Sequence, residues 1–203
     1  MPDFEFENNA RQKGYKFICG VDEAGRGPLA GPVCAAAVIL PENVIIDGLN
    51  DSKKLSEKKR EQLFDIICEK AIAYSVAYGS LEEIEELNIL EATFLAMNRS
   101  IETLKIPADF ALIDGNRVPK NIKIPCETVV KGDAKSQSIA AASILAKVTR
   151  DRLLLEYDKQ YPEYNFKKHK GYGTKEHTDL ILKYGVCPVH RKSFLKKLLG
   201  ENL

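Results

Sequence analysis

Two apolar, strand-like runs joined by a short glycine-rich turn constrain the fold of this chain more than any other feature. The first run, "YKFICGVDEAG", ends at Gly25, and the second, "GPVCAAAVIL", is closed by Pro41. Only a few residues separate them, so we predict a tight, antiparallel β-hairpin. The first strand ends in two adjacent acids, Asp22 and Glu23, and the sequence Gly-Arg-Gly follows almost at once.

The remaining sequence alternates between helical and strand patterns. "IAYSVAYGS", "DFALID" and "IKIPCETVVK" are typical of strands, whereas "SEKKREQLFDIICEKA", "LEEIEELNILEATFLAMNRSIETL" and "SQSIAAASILAKVTRDRLLLEYDKQY" favour helices. The order β-β-α-β-α-β-β-α, followed by helices, predicts an α/β fold with a mixed sheet and helices packed against it. We expect a single domain over residues 1–203, in which residues from about 160 to 203 form a basic, helical C-terminal extension.

The composition excludes several classes of protein. No stretch reaches the apolar length of a membrane span, and the N-terminal sequence "MPDFEFENNARQKG" is too polar for a signal peptide. The five cysteines are scattered without a C-x-x-C pair, which favours structural thiols in a reducing compartment over a zinc site or disulfides. We therefore expect a cytoplasmic protein with no membrane partner.

Charge is segregated along the chain, although the net charge is only +1. Between Tyr164 and Gly200, nine Lys and Arg residues stand against two Asp and Glu residues. A basic C-terminal third suits a polyanionic partner, but a solvated lysine-rich face explains it equally well. The spacing of His169, His177 and His190 in this segment suits no metal site, and we expect these side chains on the surface.

Four acids follow predicted strands and are candidate metal ligands. Asp22 and Glu23 end the first strand, Asp114 ends "DFALID", and Asp133 lies between a strand and a helix cap. Ligands in α/β sheets gather outside strand ends, so these side chains could converge. Four acids in one pocket repel one another unless hard cations such as Mg²⁺ or Mn²⁺ neutralise them. The competing interpretation is that they are ordinary turn and capping acids.

The geometry of a strand limits how the first two acids can act. Neighbouring strand residues face opposite ways, so Asp22 and Glu23 cannot both reach one ion from an ideal strand. We expect a twist or bulge at this point, or a contribution from the main-chain carbonyl of Glu23. Gly25 and Gly27 are expected to adopt positive φ and to expose N–H groups to phosphate or sugar oxygens, while Arg26 adds a cation.

Other residues are candidates for contacts with a nucleic acid. Tyr172 in "HKGYGT" could stack on a sugar or a base, or could simply pack in the core. Lys53 and Lys54 in "DSKKLS" precede a helix and could hold phosphates. Arg150 and Asp151 are expected to form a structural ion pair on a helix.

The sequence resembles bacterial ribonuclease HII in five segments: "GVDEAGRGPLAGPV", "DSKKLSEKKRE", "LIDGN", "KGDAKSQSIAAASILAKVTRD" and "HKGYGTKEH". The resemblance runs roughly from Phe17 to Phe194. It implies a ribonuclease H-like fold, in which helices flank a mixed five-stranded sheet and a helical extension follows at the C-terminus. It also implies an endoribonuclease that cleaves the RNA strand of RNA–DNA hybrids. Such enzymes cut 5′ of single ribonucleotides embedded in duplex DNA and leave 5′-phosphate and 3′-hydroxyl ends.

The resemblance also implies the functional residues. The catalytic, metal-binding acids of a two-metal site for Mn²⁺ or Mg²⁺ fall on Asp22, Glu23, Asp114 and Asp133. The substrate-binding Gly-Arg-Gly element falls on Gly25, Arg26 and Gly27. The ribose-sensing tyrosine falls on Tyr172.

The expected partners are RNA–DNA hybrids and ribonucleotide-containing duplex DNA, bound by a monomer. The sequence does not show whether the protein binds a sliding clamp. The C-terminal "ENL" is not a persuasive docking peptide for one. The alternative function is that of a nucleic-acid-binding relative without catalytic activity. The four acids argue against that alternative, because a cluster of negative charge facing a phosphodiester would not help a protein that only binds.

Overall fold

A mixed five-stranded sheet forms the centre of the fold within residues 2–200, the part of the chain that the computed structural model describes. Its order is β3-β2-β1-β4-β5, with antiparallel pairs between the first three strands and parallel pairs between β1, β4 and β5. The strands are β1 (Ile18–Ala24), β2 (Val33–Ile39), β3 (Ala73–Gly79), β4 (Phe110–Asp114) and β5 (Cys126–Val129). The predicted α/β fold and the hairpin of β1 and β2 are confirmed. The C-terminal "ENL" lies outside the described residues.

Helices cover both faces of the sheet. Within residues 2–200 they are α1 (Glu5–Gln12), α2 (Glu57–Lys70), α3 (Leu81–Leu87), α4 (Ile89–Glu102), α5 (Gln137–Gln160), α6 (Phe166–His169), α7 (Lys175–Tyr184) and α8 (Lys192–Leu199). Helices α2 and α5 pack on one face through a core that includes Leu63 and Ile144. Helix α4 covers the opposite face through Phe94 and Met97. No helix in this part of the chain combines the length and apolarity that a membrane crossing needs.

Small residues bring α5 close to the sheet, as the run "SIAAASILAK" predicts. Ser136 caps the helix by accepting a hydrogen bond from the N–H of Ile139. A Cβ atom on Gly20 of β1 would lie only 2.1 Å from the main-chain carbon of Ser138. Because backbone meets backbone here, the position of α5 fixes where its later side chains stand relative to the end of β1.

The N-terminal helix α1 was not predicted, because its sequence is polar. It buries the carboxylate of Glu7, which accepts hydrogen bonds from the hydroxyls of Ser136 and Ser138 at the start of α5. The main chain of Asp3 also pairs with the segment just before α5. The sequence from residue 2 to 12 is therefore attached to the turn that carries Asp133.

The C-terminal segment packs against the end of α5 and the loop after β1. Leu154 of α5, Ala30 of the loop, Phe166, Ile181 and Leu195 belong to one buried apolar cluster. The segment from residue 160 onward therefore contacts the loop that contains Gly-Arg-Gly. It does not pack as a separate appendage.

Candidate active site

A cleft of about 230 Å³ lies at the C-terminal ends of β1 and β4. All four predicted acids line it. Asp22, Glu23 and Asp114 come from strand ends, and Asp133 comes from the 3₁₀ turn Gly132–Ala134 just before α5. The other lining residues come from the Gly-Arg-Gly loop, the turn that holds Lys53, helix α5 and the Tyr172 loop: Ala24, Gly25, Arg26, Gly27, Ser52, Lys53, Ser143, Lys147 and Tyr172. The fold thus brings together residues from separate stretches of the sequence.

The first two acids reach the cleft without the bulge that we expected. Pairing between β1 and β2 stays regular through Glu23 and Ala24. Asp22 lies on the α5 side of the sheet, where Ser143, whose hydroxyl donates to Ser52 Oγ, lines the same cleft. Glu23 follows Val21 on the α4 side and also borders a second cleft, of about 330 Å³, with Asp114. The two side chains still point to opposite faces of the strand. Both nevertheless border the same cleft, because the cleft lies at the point where the strand ends.

Burial and the charges of neighbouring acids raise the pKa values of Asp22, Glu23 and Asp133. Burial raises the pKa of Asp22 well above its ordinary value, and the charges of Glu23 and Asp114 raise it further. Burial also raises the pKa of Glu23, although Arg26, whose Nη1 lies 3.4 Å from Glu23 Oε1, partly offsets this. The pKa of Asp133 is raised first by burial and then by Asp114. The charge of Asp114 therefore acts on all three other acids.

The donor chemistry of the cleft fits a hard divalent cation. All four acids supply oxygen, and the raised pKa values of Asp22, Glu23 and Asp133 show that negative charge in the cleft is held against burial and repulsion. Across residues 2–200, no three His, Cys, Asp or Glu side chains already stand as a group that could hold a metal ion. The carboxylates thus share the cleft as separate groups, and a cation would have to draw them together.

Hydrogen bonds inside the acid cluster hold two of its members in place. The main-chain N–H of Glu23 donates to Asp22 Oδ1 over 2.7 Å. The N–H of Gly132 donates to Asp114 Oδ1, also over 2.7 Å, which links the end of β4 to the turn of Asp133. Both carboxylates keep their second oxygen for another ligand.

The Gly-Arg-Gly loop is held from beneath by a fully buried arginine that the sequence pattern did not reveal. Arg191 donates from its guanidinium to the carbonyl oxygens of Gly25 (2.6 Å), Arg26 (3.0 Å), Pro28 (2.8 Å) and Gly31 (2.8 Å). Its side chain is 0% exposed. Because the carbonyls point inward to this cation, the loop can turn its other groups toward the cleft.

A second buried arginine joins this loop to the loop of Tyr172. Arg150 donates to the carbonyls of Ala30 (2.9 Å) and Pro32 (3.1 Å), and also to that of Lys170 (3.1 Å). The predicted ion pair between Arg150 and Asp151 is therefore wrong. The arginine turns inward to satisfy main-chain oxygens, while the acid next to it lies on another face of α5.

The two glycines of the loop differ in conformation. Gly25 has φ of +96°, as expected, but Gly27 is not among the residues with positive φ in the described chain. Gly27 instead borders open space, because no heavy atom lies within 4 Å of the point that a Cβ atom on it would occupy. Arg26 between them is exposed. Gly27 therefore contributes an uncovered backbone, whereas Gly25 contributes a turn.

The three histidines are buried together, so the prediction that they lie on the surface is wrong. His169 and His177 stack with ring centroids 4.2 Å apart, and His177 Nε2 lies 3.1 Å from His190 Nε2. His177 Nδ1 is 3.0 Å from the carbonyl oxygen of Tyr172, and His169 Nδ1 accepts from the N–H of Gly171. These rings fix the main chain of the Tyr172 loop, which explains why they occur close to it in the sequence.

Several residues that line the cleft were missed or only partly anticipated. Lys53 lines it, whereas Lys54 is not among the lining residues. Ser143, Lys147 and Asp151 recur every four residues on α5, a spacing that places polar groups on one face of a mostly buried helix. That spacing is the signal that could have revealed Ser143 and Lys147 from the sequence.

Comparison with known proteins identifies the family. Residues 19–197 match the family model described as Ribonuclease HII. The chain belongs to the ribonuclease HII family. It is 58% identical over 196 residues to the ribonuclease HII of Caldicellulosiruptor saccharolyticus, an alignment that covers 97% of this chain and 95% of that protein. The match makes this chain a ribonuclease H, an enzyme that cleaves RNA in RNA–DNA hybrids, and the alternative of a non-catalytic binder is not supported.

Solved structures show the same fold in members of the ribonuclease H2 group. The crystal structure of ribonuclease H2 from Pyrococcus horikoshii is similar with a TM-score of 0.74 and 28% identity, covering 90% of this chain and 97% of that one. Ribonuclease HII from Archaeoglobus fulgidus, solved in a complex with PCNA, is similar with a TM-score of 0.72 and 26% identity, covering 87% and 94%. The predicted ribonuclease H-like sheet is therefore confirmed.

Proposed function

We propose that this enzyme cuts duplex DNA on the 5′ side of a single embedded ribonucleotide, as well as cleaving longer hybrids, and leaves 5′-phosphate and 3′-hydroxyl ends. The observation that carries the proposal is the shared cleft. The acids, the Gly-Arg-Gly loop and Tyr172 all border one space of about 230 Å³. A phosphodiester and the sugar beside it can therefore be handled in the same place. The 5′ polarity follows the family resemblance.

The acids supply the metal-binding side of this cleft. Asp22, Glu23, Asp114 and Asp133 would hold two Mg²⁺ or Mn²⁺ ions, since their donors are oxygens. When bound, such ions stabilise the charge on the attacking and leaving oxygens of a phosphodiester. The chain's own contribution is to keep Asp22 buried and the other three acids half-buried, with Asp22 and Asp114 held by the N–H groups of Glu23 and Gly132.

The glycine loop and Tyr172 supply the sugar-reading side. The uncovered backbone at Gly27 can approach a 2′-hydroxyl, which both donates and accepts hydrogen bonds. Tyr172 is 41% exposed and can place its ring against the same sugar. A deoxyribose would leave polar groups of the loop unpaired, at about 1–3 kcal/mol for each buried group. It would also misalign the phosphodiester, which multiplies the discrimination.

Basic residues outside the cleft would hold the rest of the duplex. Lys175 of α7 and Lys192 of α8 are exposed and do not line the cleft. Lys53, which does line it, is exposed as well and can hold a phosphate at the cleft itself. Contacts with phosphates would position a duplex without reading its sequence.

The complex of the Archaeoglobus fulgidus enzyme with PCNA makes a sliding clamp a candidate protein partner. A pull-down with the sliding clamp from the same organism as this enzyme would test that partner.

The proposal is tested with a labelled duplex that carries one ribonucleotide, next to an all-DNA duplex and a continuous hybrid. We expect cleavage of the first and third only with Mg²⁺ or Mn²⁺, and mapping of the ends should place the single cut 5′ of the ribonucleotide. Tyr172→Ala should lower turnover at the single ribonucleotide far more than it weakens binding. Tyr184→Ala is the matched control, because Tyr184 is also an exposed tyrosine but does not line the cleft. An intact single-ribonucleotide duplex, or equal losses of binding and turnover in Tyr172→Ala, would contradict the proposal.

A further inference from the structure

Helix α5 presents a lysine to the ring of Tyr172. Lys147 Nζ lies 5.7 Å from the centre of that ring and 2.7 Å from Asp151 Oδ1. The lysine side chain is 16% exposed and lines the acid cleft, although its ion-pair partner is Asp151 and none of the four acids. A cation at this distance from an aromatic face is attracted to it, and the attraction grows as water is excluded.

The lysine is fixed by a chain of contacts that leads away from the acids. Asp151 also lies 3.8 Å from Arg60 Nη2. Arg60 donates to the carbonyl oxygens of Ser52 (3.0 Å) and Leu55 (2.5 Å) in the turn that contains Lys53. The ammonium group therefore has a set position between the turn of Lys53 and the Tyr172 loop.

The main chain of the Tyr172 loop is already held by other groups. His177 and His169 contact it directly, and Arg150 anchors the carbonyl of Lys170. These contacts fix where the loop runs, but the orientation of the exposed tyrosine ring depends on what touches the ring. Lys147 is such a contact, and it comes from α5, whose position relative to Asp22 is set by close backbone packing.

We propose that Lys147 is a positioning residue that sets the ring of Tyr172 against the ribose of the substrate. The inference rests on the proposed function, because it assigns Lys147 to the sugar-reading side of the cleft. This positioning role distinguishes Lys147 from lysines that bind phosphates. Its charge acts on the tyrosine ring, and Asp151 keeps that charge in place. Loss of Lys147 should therefore matter only while the tyrosine ring is present.

The test is a double-mutant cycle with Lys147→Met and Tyr172→Ala on the single-ribonucleotide duplex. Methionine keeps much of the length of lysine without its charge. We expect Lys147→Met to lower kcat about tenfold with KM changed by less than about twofold. Lys147→Arg, which keeps a cation that can face the ring, should restore most of the turnover. In the Tyr172→Ala background, Lys147→Met should cause no further loss.

A matched control exists away from the cleft. Lys183 Nζ lies 4.8 Å from the ring of Tyr184, so Lys183→Met removes a similar lysine–tyrosine contact that does not border the acids. This variant should keep full activity. Thermal melting should show that each variant is folded. Binding of a duplex that carries a deoxyribonucleotide in place of the ribonucleotide should show that each variant still binds nucleic acid.

The outcomes separate this inference from the proposed function. If Tyr172→Ala keeps normal turnover at the single ribonucleotide, the proposed role of the tyrosine fails. If Tyr172→Ala is impaired but Lys147→Met lowers turnover further in that background, Lys147 acts on the substrate directly and the inference fails. A rise in KM alone, with kcat unchanged, would also overturn it, because that result describes a phosphate anchor.

Discussion

A Cβ atom on Gly25 would lie 2.0 Å from Nε of Arg150, so the arginine fills the space that a side chain at position 25 would need. The same guanidinium is held by the carbonyls of Ala30 and Pro32 on the next part of the loop. The glycine after the end of β1 is thus required by the anchoring of the loop from within the protein. This requirement is independent of any contact that the loop makes with a substrate.

Gly25→Ala should destabilise the fold, whereas Gly27→Ala should not. The first change combines a φ of +96° with a collision against a buried guanidinium, and we expect a cost of about 2–3 kcal/mol. The second adds a methyl group in open space. Chemical denaturation of the two variants measures the difference. Equal stabilities would mean that Arg150 can leave its carbonyl partners at no cost.

Asp22→Asn should abolish cleavage and leave the fold intact. It removes a charged oxygen from the proposed metal site, so kcat/KM should fall by a factor of about 10³ or more. It also removes a buried charge that Glu23 and Asp114 repel, so the melting temperature in metal-free buffer should rise. The matched control is Asp179→Asn, an exposed acid on α7. Near-normal turnover of Asp22→Asn at matched metal concentration would refute the assignment.

The stability of the metal-free enzyme should depend on pH through the same acids. Because the pKa of Asp22 and that of Glu23 are raised in the folded state, their contribution to stability is fully present below their unfolded values of about 4. It is lost as the pH rises through the folded values. Mg²⁺ should remove this loss by binding the charged form. Melting curves across pH, with and without Mg²⁺, should therefore diverge as the pH rises, and parallel curves would rule out metal binding by these groups.

The histidine cluster should make the stability of the fold depend on pH in the opposite direction. Burial lowers the pKa of His177 and that of His190 to about 4, against 6.5 for an ordinary histidine. An unfolded chain takes up protons on these rings between those values while the folded chain does not, so the free energy of unfolding falls as the pH falls from 6.5 to 4. His190→Gln, which cannot titrate, should show a shallower fall. Because the wild type and His190→Gln are compared in the same buffers, the contribution of the acids cancels. An unchanged slope of unfolding free energy against pH would contradict the view that His177 and His190 are a buried, neutral pair.

Lys53 and Lys54 should differ in their effect on nucleic-acid binding. Lys53 lines the cleft and Lys54 does not. If Lys53 neutralises one phosphate, Lys53→Gln should weaken binding to every duplex and reduce the slope of log K against log salt by about 0.9. Lys54→Gln serves as the neighbouring control and should leave the slope unchanged. Equal slopes for the wild type and Lys53→Gln would assign the phosphate contact elsewhere.

The elements that bury apolar periodic patterns were predictable from the sequence. The hairpin of β1 and β2 and the long helix α5 are examples, because the continuous apolar runs of the strands and the small residues of the helix indicate buried segments. Helix α1 was missed since it buries only the polar Glu7 and the small Ala10. The predictions for Arg150 and for the histidines were wrong, and Arg191 was missed, for the same reason. Polar side chains normally face water, and only the tertiary structure shows that buried main-chain carbonyl oxygens can accept hydrogen bonds from them.

The anchoring of the Gly-Arg-Gly loop by Arg191 has a consequence for how the enzyme is made. The arginine donates to a carbonyl at Arg26, which lies 165 positions earlier in the chain. During synthesis, the acids of β1 leave the ribosome long before the residue that shapes the loop beside them. A nascent chain would carry its acidic residues early, but the loop proposed to test the sugar would gain its anchor only near the end of translation. Because the acids and this loop border one cleft, the cleft reaches its final form only after the C-terminal segment has folded against the loop.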